Sequence, residues 1–298
     1  MDSGNKPTSG AKHKGGSLYV VATPIGNLAD ITLRAIETLK KVDLIAAEDT
    51  RHTRRLLRHY HINNKMISLH EHNELQRVPE LIERLRSGDA IALVSNAGTP
   101  TLSDPGYRLV KEAAVTHIRV IPIPGPSAAL ASLSVSGLPT DAFIFIGFLP
   151  RKTGKVKKAL ATLQHERKTL IFYESPKRIT ALLSRLIQTL GQREAVLSRE
   201  MTKRHEEFIR GSLSDILAQL TNRTEIKGEC TLVVHGFSGP EDLNMDTVRT
   251  HILEELRGGT TSISELAKRI ATRHGLMKKQ VYSEALKIKS LHDFMERD

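Results

Sequence analysis

From Leu18 onward, short apolar runs alternate with stretches whose apolar residues recur every three or four positions. LYVVA, LIAA, AIALVS, IRVIPI and FIFIGF have the length and side-chain type of buried strands. Between them, ITLRAIETLKK, TRRLLRHY, VPELIERLRSG, YRLVKEAAV and SAALASLSV carry helical periodicity. This alternation predicts an α/β domain with a largely parallel sheet over residues 17–138. After PRKTGK the pattern resumes with a helix over Val156–His165, the strand TLIFY and a helix over Lys177–Leu190. The strands AVLSR, EEFIRG and CTLVVHG follow, with a helix over Leu213–Leu220. These elements predict a second α/β domain over residues 139–238, with mixed strand directions.

SGPEDLNM reads as a linker, and residues 246–298 are helical in pattern. Ser262 and Glu265 form a capping box ahead of Leu266, Ala267 and Ile270, and Gly275 stops that helix. In the last helix Val281, Ala285 and Ile288 share one side, leaving Lys278, Lys279, Lys287 and Lys289 for another. Two short helices around a glycine-containing turn fit either a nucleic-acid-binding helix-turn-helix or a packing or dimer-stabilising appendage. Residues 1–16, rich in Gly, Ser and Lys, are expected to be a disordered basic tail.

A length of 298 residues agrees with two main domains, and 39% hydrophobic with 26% charged residues is a globular composition. The single cysteine, Cys230, excludes an internal disulfide framework and a zinc site built on paired cysteines. With no signal-peptide core and no run of about 18 apolar residues, the expected setting is the cytoplasm, away from any membrane. The net charge of +11 points to a polyanionic partner. Residues 151–178 hold nine Lys and Arg against Glu166 and Glu174, a local excess of +7. Arg51, Arg54, Arg55 and Arg58 share one face of a helix, where they form either a phosphate-binding or a merely solvated surface.

Three strand-to-helix junctions are rich in Gly and Pro: TPIGNLAD, SNAGTPTLSDPG and PGPSA. In an open α/β sheet such loops gather outside the carboxyl ends of the strands, where ligands bind. Neither the dinucleotide-binding nor the P-loop glycine pattern is present. His59 with His61 and His70 with His72 lack a third ligand at metal-binding spacing, so no metal is expected.

These loops, together with GFLPR, YESPKR and SREMTKRHEE, closely resemble the ribosomal RNA small subunit methyltransferase I family of the tetrapyrrole-methylase superfamily, in unbroken order from Leu18 to Gly236. Asn96 departs from the Asp usual at that place in the family's loop. The resemblance implies two α/β domains with S-adenosylmethionine between them, a homodimer, and 2′-O-methylation of a cytidine in small-subunit (16S) ribosomal RNA. It places the donor against Pro24, Ile25 and Gly26, then Gly98, Thr99 and Leu102, then Ser127 and Ala128. On the second-domain side it implies Phe172, Tyr173, Met201, Glu229 and Cys230.

Methyl transfer to a ribose hydroxyl must also dispose of the hydroxyl proton. Asp104, Glu48, Glu174 and Glu200 are the candidate bases, and Lys177, Arg178 and Lys203 are candidates for holding phosphate or stabilising the alkoxide. Asp104 also suits a helix cap, and Glu174 an ion pair with Lys177 or Arg178. The rival readings are a tetrapyrrole or corrin methyltransferase and a non-enzymatic RNA-binding assembly factor. The basic segment favours RNA over a small substrate, and the intact loops favour an enzyme. Neutralising Lys155, Lys157 and Lys158 should weaken binding to small-subunit RNA and lower the slope of log affinity against log salt by about 1 per lost contact. Donor affinity should not change, as filter-binding and calorimetric titrations will show.

Overall fold

The runs Leu44–Ala47 and Ile91–Val94 contain no polar residue and are buried at every position. Strands of this kind belong at the centre of a parallel sheet covered on both faces. The computed structural model describes residues 16–239, 245–257, 262–274 and 278–295. In it, β1 (Ser17–Val21), β2 (Leu44–Ala47), β3 (Met66–Ser68), β4 (Ile91–Val94) and β5 (Arg119–Ile123) form a parallel sheet in the order β3-β2-β4-β1-β5. The helices α1 (Leu33–Lys41), α2 (Thr50–His59), α3 (Glu74–Arg86) and α4 (Tyr107–Val115) supply the crossovers. Leu39, Leu56 and Leu57 pack on one side of the sheet, and Leu81, Leu85 and Leu109 on the other. The sequence pattern does not anticipate β3, an edge strand of three residues too short to show a period.

The next helix, α5 (Ala128–Ser136), leaves the first sheet and lies on the second, where Ala129 and Leu133 pack against Ile171 and Val233. The hydroxyls of Ser132 and Ser198 meet there at 2.6 Å, fully buried. That sheet comprises β6 (Phe143–Phe148), β7 (Thr169–Glu174), β8 (Glu194–Arg199), β9 (Glu207–Ser212) and β10 (Cys230–Val234), in the order β6-β7-β10-β8-β9. Only β6 and β7 run parallel; the other pairs are antiparallel, giving the expected mixed directions. Its far face is covered by α6 (Thr153–Ala161), α7 (Ile179–Leu190) and α8 (Leu213–Thr221), around Phe172, Leu183, Leu186 and Ile216. The first of these helices starts and ends earlier than the Val156–His165 of the sequence pattern. Its stop is set where the Thr162 hydroxyl donates back to the Ala159 carbonyl.

Contacts divide the chain after Gly236. The C-terminal unit contains α9 (Met245–Arg257), α10 (Ile263–His274) and α11 (Lys278–Met295), joined through Val248, Ile252, Leu266, Ile270, Val281 and Ala285. The Ser262 hydroxyl oxygen accepts the Glu265 N–H at 3.3 Å, so the predicted cap is formed. Lys278, Lys279, Lys287 and Lys289 are exposed, as their positions on the last helix require. Gly275, most of the expected linker and nearly all of the N-terminal tail lie outside the described residues.

Phe172 is the bulkiest fully buried side chain on the second sheet. Phe172→Ala should lower the unfolding free energy by about 3–5 kcal/mol, measured by urea titration, because its neighbours cannot close the space it leaves.

Candidate active site

Parallel strands deliver their following loops to one edge of the sheet, and here backbone and side-chain hydrogen bonds tie four of those loops together. Thr23, after β1, and Gly98, after β4, exchange two backbone hydrogen bonds of 2.9 and 3.0 Å. The Thr99 hydroxyl donates to the Pro126 carbonyl at 3.1 Å, joining the loop after β5. Glu48, after β2, accepts the Asn96 N–H at 3.0 Å. The far end of the long loop is held from α3, where the buried Glu74 carboxylate accepts the N–H groups of Gly106 and Arg108, each at 3.1 Å.

Thr101 and Ser103 in that loop have φ of 72° and 69°, a left-handed backbone that non-glycine residues adopt at a cost of about 1–3 kcal/mol each. Ser103 presses on a bulge in β6, where Gly147 has φ of 66° and a Cβ would stand 2.4 Å from the Ser103 hydroxyl. Only glycine meets both demands there. The loop after β8 closes the other side: Thr202 accepts the Asn27 N–H at 2.9 Å, and a Cβ on Gly26 would lie 2.5 Å from Cγ of Lys203.

A cavity of about 310 Å³ lies between these loops and the second sheet. Ile25, Gly98, Thr99, Leu102, Asp104, Ser127 and Ala128 line it from the first sheet, and Tyr173, Glu174, Glu229 and Cys230 from the second. Phe148 and Ser103, absent from the sequence-based set, line it as well. GFLPR held the signal for the first, since a large aromatic residue closes a strand just before a loop.

Four expected donor contacts sit elsewhere. Phe172 points into the core beneath α7, because side chains alternate along a strand and Tyr173 takes the cavity side. Met201 is buried and presents its backbone carbonyl to Gly26. Pro24 and Gly26 line an adjoining cleft of about 360 Å³ with Leu28, His52, Arg55, Asn96 and Lys203. The cleft and the cavity share Ile25, Ala97 and Glu229.

The charged candidates separate by environment. Burial, reinforced by the charge of Glu48, raises the Asp104 carboxyl from 3.8 to about 7. Burial also raises the Tyr173 hydroxyl, with Asp104 adding to the shift, so the phenol stays protonated; its oxygen accepts the Ala129 N–H at 3.0 Å. Glu174 lines the cavity, but the Arg178 guanidinium holds it at 2.6 and 2.8 Å and the Ser175 N–H donates to it, which is the ion-pair alternative. The Glu200 carboxyl is lowered chiefly by its 2.7 Å hydrogen bond from Lys203. Burial works against the Lys203 charge, but hydrogen bonds to Glu200 and to Glu229, the latter at 3.0 Å, outweigh it and raise its pKa. Burial lifts the Cys230 thiol to about 11, leaving it a neutral wall. Lys177 is exposed and lines a separate hollow with Leu220 and Arg223.

Arg51, Arg54, Arg55 and Arg58 are exposed along α2, opposite the buried Thr53, Leu56 and Leu57. Arg151, Lys152, Lys155, Lys157 and Lys158, which follow Phe148 in the chain, are exposed too. The rings of His70 and His72 pack edge to face at 6.0 Å. Among the described residues no cluster of three or more His, Cys, Asp or Glu is placed to hold a metal ion, and no helix is long and apolar enough to cross a membrane.

The architecture recurs in solved structures. Uroporphyrin-III C-methyltransferase from Thermus thermophilus superposes with a TM-score of 0.53 at 18% identity, covering 74% of this chain and 94% of that one. The methyltransferase CobJ gives 0.57 at 17% identity, over 77% and 97%. At this identity the likeness concerns the fold. Sequence similarity reaches further, and the pattern of the tetrapyrrole (corrin/porphyrin) methylases matches residues 17–217. Proteins named ribosomal RNA small subunit methyltransferase I are 45% identical in Escherichia coli O157:H7, over 94% of this chain and 98% of theirs. In Bacillus subtilis (strain 168) the identity is 44%, over 90% and 93%. With the strand-end loops assembled into one cavity and the likeness running nearly end to end, the chain belongs to the ribosomal RNA small subunit methyltransferase I family, within the tetrapyrrole methylases.

Proposed function

We propose that this chain is an S-adenosylmethionine-dependent methyltransferase that 2′-O-methylates the ribose of a cytidine in small-subunit ribosomal RNA. The observation that carries this reading is a mainly apolar cavity at the strand ends that shares Ile25, Ala97 and Glu229 with a cleft lined by Arg55, His52 and Lys203. The cavity suits the donor: Ile25, Leu102 and Phe148 offer apolar surface for a purine, and the carboxylates of Asp104 and Glu229 suit a cationic ligand. Bound there, the donor supplies an electrophilic methyl group whose transfer leaves a neutral thioether and needs no acid.

The protein's part is to position the reactants and take up a proton. Asp104 is the proposed proton acceptor, since Glu174 and Glu200 are held by cations while Asp104 is poised near neutrality. Glu48 supports it by raising its proton affinity. Tyr173 hydrogen-bonds the start of α5 and fixes the wall around Ser127 and Ala128. The relatives' name, the exposed basic segment and the net charge of +11 support RNA over a tetrapyrrole as acceptor. Exposed Leu130 and Val135 on α5, with Phe143 on the edge strand β6, support a homodimer, and the relatives' ribosomal RNA name supports a cytoplasmic setting.

Calorimetric titration with S-adenosylmethionine should show one site per chain, and labelled methyl should pass to small-subunit RNA. Absence of donor binding, or label found only in a tetrapyrrole, would overturn the reading. The rate should rise with pH through about 7, because the base must be ionised to accept a proton. Asp104→Asn should lower kcat by about 100-fold or more and flatten that profile. Its stability provides the control. The raised carboxyl costs the parent stability as pH climbs from 3.8 to about 7, a loss that Asn avoids, so the variant should stay folded at pH 8.

A further inference from the structure

The cleft beside the cavity has three properties that the donor does not account for. Its walls at Ile25, Ala97 and Glu229 are also walls of the cavity, so the two compartments adjoin across these residues. It has a cation at its mouth that is not already engaged: Arg55 is exposed and has no carboxylate partner among the described residues, whereas the neighbouring Arg51 is paired with Asp49 at 3.2 Å. Lys203, the other cation of the cleft, is held between Glu200 and Glu229. The third property is a buried polar atom without a partner. Oδ1 of Asn96 is shielded from water and accepts no hydrogen bond, while the backbone N–H of the same residue is fixed on Glu48. Buried amide oxygens are nearly always satisfied, and Asn96 lines the cleft, so a turn of its side-chain amide would bring the unsatisfied oxygen to a donor on a ligand there.

We propose that this cleft is the acceptor subsite and receives one unstacked ribonucleotide, its phosphate on Arg55 and an N–H or O–H of its base or sugar on Oδ1 of Asn96. The inference rests on the methyltransferase reading above and adds where the acceptor sits and which residues hold it. The shape of the cleft agrees: Pro24, Ile25 and Leu28 offer apolar surface, and about 360 Å³ accommodates a single nucleotide. Single-stranded loops and bulges offer nucleotides that can be splayed out of the stack, and a cleft with a phosphate anchor among its lining residues suits one of these. Arg54 and Arg58 continue the positive face of α2 past Arg55, so the phosphates flanking the extracted nucleotide also meet cations. Arg55 and Asn96 are thus substrate-positioning residues for the reaction.

The test uses the full-length protein with saturating labelled donor and small-subunit particles, with initial rates measured against particle concentration. Arg55→Ala should raise KM for the particles by about tenfold and lower the salt slope by about 1. Arg55→Lys should recover part of that loss. Asn96→Ala should lower kcat/KM by about tenfold, the consequence of losing a buried hydrogen bond to the acceptor. Both alanine variants should bind S-adenosylmethionine in calorimetry as the parent does and keep its thermal unfolding midpoint. Wild-type KM and kcat in Arg55→Ala and Asn96→Ala would overturn the proposal. So would a fall in donor affinity large enough to explain the lost rate, which would assign the cleft to the donor. A parent protein that binds no donor at all would instead sink the methyltransferase reading, so the two failures are distinguishable.

Discussion

Two backbone hydrogen bonds between Thr23 and Gly98 set the geometry on which the rest of the site depends. Their parent strands β1 and β4 run parallel and side by side, so the two chains leave the sheet at the same edge and would ordinarily diverge into solvent. Antiparallel pairing beyond the strand ends turns the loop after β4 back over the sheet. Once Gly98 is fixed, Thr99 reaches Pro126 and Asn96 reaches Glu48, and the loop must pass through Thr101 and Ser103 in left-handed backbone before Glu74 receives its end. The strain at those two residues is maintained because the chain is secured on both sides of them.

The carboxylates around the site show how packing assigns chemistry to identical groups. Glu174 and Glu200 each lie next to a cation, and the hydrogen bond from Lys203 lowers the Glu200 carboxyl. Asp104 has a second carboxylate and a half-buried setting in place of a cation, so it holds its proton far more firmly. Glu48 spends one oxygen on a backbone N–H and acts through its field. The same chemical group thus takes different roles, and burial poises Asp104 to exchange a proton near neutral pH.

Much of this architecture was legible in the sequence because periodicity reports burial. All-apolar LIAA and IALV became central strands, and the strand-to-helix junctions after β1, β4 and β5 became the walls of the cavity. Local spacing carried as far as the Glu174–Arg178 pair, four residues apart. The same reading failed wherever the partner was remote in sequence. The family resemblance, for its part, implies both Phe172 and Tyr173 on one wall, although strand alternation sends them to opposite faces. Periodicity passed over Glu74, whose role depends on Gly106, 32 residues away. Nor does the spacing of arginines on α2 reveal that Arg55, rather than Arg51, borders the cleft.

The position of α5 bears on how the protein meets a large substrate. By sequence it completes the first α/β layer, yet it lies on the second sheet, pinned by Leu133 and by the buried hydroxyl pair of Ser132 and Ser198. A helix that is covalently part of one half and packed into the other acts as a rivet. Any clamping of one half on the other would have to unseat Leu133 or part the buried hydroxyls of Ser132 and Ser198. Such a rivet favours a fixed gauge over a pair of jaws and shifts the conformational work of recognition toward the RNA.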